Sequence, residues 1–467
     1  MTAATDTLDA APAHPLLTSP IAASLAKMAG PNLLGMMATT AVSIAETAYI
    51  GRLGAQSLAA VALVLPLVML MGMMSAGAIG GGVASAISRA VGAGETARAA
   101  VLARHAVIIG LILGGFFTVL LSVFGAPIFH LLGGRGETLR LATLYAGVVF
   151  AAAAAIWLTN IMASILRAQG NMVAPSTIIF FGALLQVVVG GSLCFGWGPA
   201  PRLGILGVGL GQVTTSILSA VLLYLLLRRP EAKVRLSLVG PLHRSAFADI
   251  LRVGAPAMFS PIQTVGTVLI ITAIAARFGT ETLAGYGIGS RLEFLMVPIA
   301  FSVGVAALPM VGLAIGAGDV ARARRVAWTA AAMGAVGLGS VGLLLSLFPD
   351  LWVTIFTKDP GVRAAAALYL HIVGPTFILF GMNLALYFAS QGAGRILGPL
   401  LAASARIVVV ALGGWLLVAN NAAPWALFTL VALGMAVLGL GTALAVVITP
   451  WGPKPALART NLNTLSR

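Results

Sequence analysis

Charge is what this 467-residue sequence has least of: Asp, Glu, Lys and Arg together supply 8% of it, roughly a third of the share in a soluble domain. That shortage excludes an ordinary water-facing globular surface. Acid is scarcer still, with 12 Asp and Glu against 27 Lys and Arg. No paired carboxylates, no His/Glu metal set and no Ser/Lys or Ser/His arrangement can be picked out, so the sequence offers neither an enzyme site nor a bound metal or cofactor. The five histidines are few, and His105, His130 and His371 are scattered. The one cysteine, Cys194, lies in an apolar run, forms no intramolecular disulfide and reads as a small packing residue. Aromatic residues make up 7% and Phe247 alone falls within the basic run from Arg228 to Arg252, a single ring that offers successive bases nothing to stack on. Base stacking therefore has no platform there, and anionic lipid headgroups are the better partner for those charges than nucleic acid.

Apolar residues fill the space: 60% of the chain is hydrophobic and its mean hydropathy is +1.05. Windows of about 20 apolar residues predict twelve membrane spans, near 28–50, 58–84, 101–124, 139–166, 175–196, 204–227, 250–276, 283–311, 326–348, 364–389, 397–418 and 424–448. The net charge of +15 is distributed by topology. With the N-terminus inside, 18 of the 27 basic residues fall on the cytoplasmic side and seven outside, while Arg291 and Arg406 lie within spans. By the positive-inside rule both termini are cytoplasmic, in a cell (inner) membrane. Residues 1–24 and 451–467 read as tails, the first without the basic start of a cleaved signal.

The chain is written twice. Ala-Val-Gly-Ala-Gly-Glu-Thr-Ala-Arg-Ala at 90–99 returns as Ala-Ile-Gly-Ala-Gly-Asp-Val-Ala-Arg-Ala at 314–323, an offset of 224 at which Tyr145 meets Tyr369 and Pro175 meets Pro399. With a slip of two, Gln169-Gly170 meets Gln391-Gly392. Six spans per copy make the repeat parallel. The expected architecture is all-α, with two six-helix lobes, 25–227 and 250–450, related by a pseudo-two-fold axis along the membrane normal and joined by a cytoplasmic linker at 228–249. The small-xxx-small pairs Gly77/Gly81 and Gly110/Gly114 read as packing within a lobe.

Two acidic residues fall inside spans, and a buried ionisable group is a functional candidate by default. Glu46 shares a helical stripe with Asn32, Thr39 and Ser43 at spacings of 7, 4 and 3. Such a stripe faces an interior cavity, where a carboxylate suits proton coupling; the other reading has Glu46 snorkelling to the outer surface near Arg52. Glu293 follows Arg291 in the eighth span, and the two charges satisfy each other or a polar neighbour. Arg406 is a further charge that could neutralise Glu293. Met36, Met37, Met69, Met71, Met73, Met74, Phe180 and Phe181 could line an adaptable cavity or simply pack.

Several local patterns occur together: Gly30-Pro31, Glu46-Thr47, Leu58-Ala59-Ala60-Val61, Gly92-Ala93-Gly94, Arg167-Ala168-Gln169-Gly170, and Ala284-Gly285-Tyr286-Gly287-Ile288 with Arg291 and Glu293. In these, from about residue 25 to 450, the chain resembles the multidrug and toxic compound extrusion (MATE) family. The resemblance implies a V-shaped pair of six-helix lobes that expels organic, often cationic, compounds in exchange for protons or sodium. It places ion coupling at Glu46, where the family commonly has Asp, with Thr39, Ser43, Asn160, Gln186 and Thr215 around it. It places the substrate cavity at Asn32, Gln263, Tyr286, Arg291, Glu293 and Asn383. Where relatives carry Asn and Asp-Pro in the fifth span, this chain has Gln186, Gly190 and Gly191, so the second carboxylate is absent. The acids that some sodium-coupled relatives carry in the seventh and tenth spans are also missing, with Gln263, His371 and Asn383 the nearest polar groups.

A cation site reduced to one carboxylate favours protons over sodium. The expected protein is a monomeric antiporter working by alternating access. The alternatives are a sodium-coupled member of the same family and a flippase for a lipid-linked precursor. The flippase needs several cleft cations, whereas only Arg291 and Arg406 are available within spans.

Overall fold

The computed structural model describes residues 14–452, so the outermost parts of both expected tails lie outside the described residues. Twelve helical spans run in sequence: α1 (Ile21–Arg52), α2 (Ala55–Gly92), α3 (Thr96–Leu131), α4 (Gly136–Ala151 and Ala153–Ala168), α5 (Val173–Phe195), α6 (Ile205–Arg228), α7 (Arg244–Phe278), α8 (Thr280–Gly316), α9 (Val320–Leu347), α10 (Pro360–Gly392), α11 (Leu397–Ala419) and α12 (Pro424–Ile448). The two pieces of α4 meet at a bend of 45°. All twelve expected spans are present, and several helices run a turn or more past the apolar window at one end or both. A helix extends beyond the hydrocarbon because its backbone bonds stay internal whatever the solvent.

Two boundaries differ from expectation. The first helix starts at Ile21, and Pro15–Leu17 ahead of it forms a short 3-10 turn, so part of the expected tail is built into the fold. The linker ends at His243, because Arg244–Ala257 is already helical and leads into the seventh span. The linker itself is strapped to the first lobe. Arg104 donates to the carbonyls of Val239 (2.7 Å) and Pro241 (2.6 Å). His105 Nε2 accepts from the His243 N–H at 2.8 Å, and Gln169 Oε1 accepts from the Val234 N–H at 3.0 Å.

The two lobes meet at one end only, the end that carries the linker and the described residues nearest both termini. There the inner half of α2 is buried from Gly80 to Ser88, and α8 from Gly304 to Ala314. These halves approach backbone to backbone. A Cβ on Gly82 would stand 2.7 Å from the Gly254 nitrogen of α7, and one on Gly92 or Gly316 would collide with the opposite lobe's backbone. The core is continuous across this junction, joining Ile87 and Trp157 of the first lobe to Ala306, Val311 and Ala389 of the second. A separate core around Ile271, Tyr369 and Phe428 belongs to the second lobe alone. The outer half of α2, Ala55–Gly72, packs on α4 and α1 of its own lobe and makes no comparable contact with α8. The lobes therefore diverge away from the terminal face and leave a cleft open to the far side.

Gly77 and Gly81 face the second lobe, against Phe301 and Gln391, and not their own lobe as expected. Gly110 and Gly114 do pack within the lobe, on Ile161 and Ala154 of α4. Between its two halves α2 passes through a π-helical segment, Met73–Ile79. Such segments are frequent at functional sites.

Candidate functional site

The first polar cluster lies inside the first lobe. Glu46 stands six residues before the end of α1, about 9 Å from it, in the half of the molecule where the cleft is open. Its Oε1 accepts a hydrogen bond from Gln186 Nε2 of α5 at 2.8 Å. Thr215 of α6 donates to Gln186 Oε1 at 3.4 Å, while also bonding the carbonyls of Gly211 and Gln212. The Tyr145 side chain of α4, 5% exposed, lies within electrostatic reach of Glu46. No cation forms an ion pair with Glu46 among the described residues.

Three residues expected around Glu46 bond elsewhere. The Thr39 hydroxyl donates to the Met36 carbonyl of its own helix at 2.7 Å, the usual fate of a helical threonine. Ser43 offers its carbonyl to Thr47, and with Ile44, Thr47 and Ala48 it lines a shallow open depression. Asn160 donates to Ser75 in the π-helical part of α2 at 2.7 Å, because its face of α4 turns toward α2 and away from α1. Asn32 is buried and reaches Met36 Sδ, which also receives the hydroxyl of Ser302 from α8. The stripe thus divides by depth: Asn32 belongs to the lobe junction and Glu46 to the open half.

The second cluster lies in the other lobe. Glu293, thirteen residues into α8 and so about 20 Å along it, accepts a hydrogen bond from the Tyr369 hydroxyl of α10. Tyr286 packs edge-on against Tyr369, with ring centroids 6.0 Å apart. Arg406 of α11 is 9% exposed and acts electrostatically on Glu293 without a direct ion pair, and its Nε has no partner. Arg291 does not pair with Glu293. Two residues apart on a helix point to nearly opposite sides, and the exposed Arg291 lies over the Phe356 ring at 5.4 Å. The partner of Glu293 that the sequence did not suggest is Tyr369, although its pairing with Tyr145 in the repeat was visible.

Two remaining candidates lie between helices of the second lobe. Asn383 accepts from Thr442 of α12 at 2.8 Å in a fully buried pair. Gln263 of α7 donates to Ser404 of α11 at 2.7 Å, leaving its Oε1 unpaired. His371 is exposed, and only its carbonyl is engaged, by Ser346. Of the methionines and phenylalanines considered as lining, Met37, Met69, Met73 and Phe181 are exposed, whereas Met71 and Met74 are buried packing residues. No group of three His, Cys, Asp or Glu suited to a metal occurs among the described residues.

The MatE family model matches the chain twice, over residues 31–190 and again over 256–416, once in each lobe. The chain is 30% identical over 425 residues to the "Probable multidrug resistance protein NorM" of Deinococcus radiodurans, covering 86% of this chain and 89% of that one. It is 25% identical over 400 residues to an FAD transporter of Shewanella oneidensis, covering 85% and 88%. Among solved structures, a MOP superfamily transporter from Pyrococcus furiosus superposes with a TM-score of 0.85 at 22% identity, covering 94% of this chain and 98% of that one. An outward-facing multidrug resistance MATE family transporter superposes with a TM-score of 0.84 at 23% identity and the same coverage.

Proposed function

Because the chain belongs to the MATE family, we propose that it is a secondary active multidrug exporter in which proton binding at Glu46 drives alternating access of the two lobes. The observation that carries the reading is the setting of Glu46: a carboxylate held between α1 and α5 by a single amide donor, with no cation paired to it, at the wall of the open half. Its charge has little to hold it there, and a proton removes it. An ion drives the lobes only if the two arrangements bind it unequally. Gln186, itself held by Thr215, supplies that inequality, since a shift of α5 relative to α1 lengthens the bond to Glu46. Glu293, half-buried and held by the Tyr369 hydroxyl beside Tyr286, is the polar centre of the second lobe, with the exposed Arg291 on another side of α8.

The terminal face is cytoplasmic in this reading, in a cell (inner) membrane. The linker supports that orientation with Arg228, Arg229, Lys233 and Arg235, as does the loop end of α9 with Arg322, Arg324 and Arg325. The cleft then faces outward, ready to release substrate and take up protons. The molecule works as a monomer, each lobe being the other's partner.

The test is transport in proteoliposomes with imposed proton or sodium gradients and a fluorescent organic cation. Glu46→Gln is expected to abolish proton-driven export. Export by Glu46→Gln equal to that of the unaltered protein overturns the proposal, and export driven by sodium alone replaces the ion. The FAD transporter of Shewanella oneidensis makes a flavin dinucleotide the second substrate to test.

A further inference from the structure

Gln391, at the terminal-face end of α10, is 0% exposed and, besides its contacts with Tyr387 and Gly394 of its own lobe, bonds across the boundary between lobes. Its Nε2 donates to the Gly77 carbonyl in the π-helical segment of α2 at 3.0 Å. Its own carbonyl accepts the hydroxyl of Ser85, about two helical turns further along α2. Arg89, on the next turn, bonds the Ser85 oxygen and reaches the Gly392 carbonyl at 3.4 Å. One residue of the second lobe therefore grips the first at two levels, and the first lobe answers with a side chain from each of two successive turns.

The grip needs room. The Gln391 amide lies directly on the Cα of Gly81, where an added Cβ would stand 2.7 Å from the amide carbon. It also comes at a cost, because Gln391 Oε1 is buried with no partner. A buried unpaired acceptor is destabilising, and here it is met at the junction that must part if the terminal face is to open. Parting would let water reach that oxygen, so the same residue holds the closed junction and eases its release. Gln169, which stands at the matching place in the first copy, is engaged elsewhere, since its side chain holds the Val234 N–H of the linker.

We propose that Gln391, through Gly77 and Ser85, is the latch that holds the terminal face of the two lobes shut while the far side is open. It acts on the equilibrium between the two openings and touches neither ion nor substrate. The inference rests on alternating access but not on Glu46 being the coupling residue.

The test is double electron–electron resonance on the full-length protein in lipid nanodiscs, with Cys194→Ala and nitroxides at Ala97→Cys and Ala321→Cys, exposed sites on the terminal face of opposite lobes. Gln391→Met keeps the length and removes the amide. The ratio of long to short distances is expected to rise by up to about fivefold, the value of one net hydrogen bond, because losing the bond to Gly77 outweighs the relief of losing the unpaired Oε1. Ser85→Ala, a milder change, shifts the ratio the same way by less. Gln169→Met leaves it unchanged, which separates a latch from general loosening. An unchanged ratio in Gln391→Met and Ser85→Ala together overturns the latch, as does an equal shift in Gln169→Met. A failed Glu46→Gln transport test leaves these distances as they are, so the two proposals fall separately.

Discussion

At the scale of single residues, the two half-buried glutamates within spans differ in what holds them. Glu46 has one amide on it, whereas Glu293 sits under the Tyr369 hydroxyl and within reach of Arg406. Gln186→Leu is expected to slow proton-driven export while leaving the fold intact, since only the bond to Glu46 and the long one from Thr215 are lost at a half-buried site; initial rates in proteoliposomes check it. Tyr369→Phe removes a buried donor from a half-buried carboxylate and is expected to destabilise by about 1 kcal/mol, read as a lower melting temperature in detergent. His14 provides a pH dependence outside the spans. Its Nδ1 accepts the Leu16 N–H at 3.3 Å and its Nε2–H donates to the Gln169 carbonyl at 3.2 Å, roles that only the neutral ring can fill together. Burial first, and then the charge of Lys233, hold its pKa below the ordinary 6.5, against a smaller opposing effect of the bond to Gln169; Arg322 is the other cation on this segment. The unfolded segment therefore binds the proton more readily. The attachment is at full strength above pH 6.5 and is lost as pH falls through the lowered value. Hydrogen exchange at residues 16–19, corrected for intrinsic rates, is expected to be faster at about pH 5.5 than at about 7.5, and His14→Ala to abolish the difference.

At the scale of elements, the inner halves of α2 and α8 work as a seal because their glycines let backbones touch. Gly82→Ala places a methyl group against the Gly254 backbone of α7 and is expected to cost about 1–3 kcal/mol, with the terminal face opening in preference to α2 deforming. Faster labelling of an introduced cysteine in the junction reports it. The short segment before α1 is a second tie. Arg322 of α9 donates to the carbonyls of Leu16 (2.8 Å) and Ser19 (2.6 Å), while His14 is on Gln169 of the first lobe. This is the part of the chain that sequence reading served least well, since a stretch of Ala, Pro and Thr with little charge looks like any tail. The span count, by contrast, follows directly from hydropathy, because apolar length is a local property. What touches what across helices is not local. Glu46 and Gln186 were both visible, but the turn of α4 that takes Asn160 to Ser75 depends on a bend at Ala152 that no run of alanines announces. The separation of Arg291 from Glu293 was legible, being two residues of helical periodicity.

At the scale of the whole molecule, the duplication has kept its frame and let its chemistry drift. Tyr145 lies near Glu46 and Tyr369 bonds Glu293, so a matched tyrosine attends a carboxylate in each lobe although the carboxylates sit on helices that do not correspond. The second carboxylate invites a direct measurement. With Glu46→Gln and Glu293→Gln compared under the same gradients, loss of export in the first and weakened export in the second is expected if coupling belongs to the first lobe.

Gln169 and Gln391 occupy the same place in the repeat, so a protein made of two separate identical halves would present both amides in the same way. Joining the halves supplied a linker, and the linker occupied one of them. A door with two equal bolts stays shut until both are drawn. With one bolt turned to fastening the hinge plate, the joined chain has one side-chain grip fewer to break across the junction than two identical halves would have.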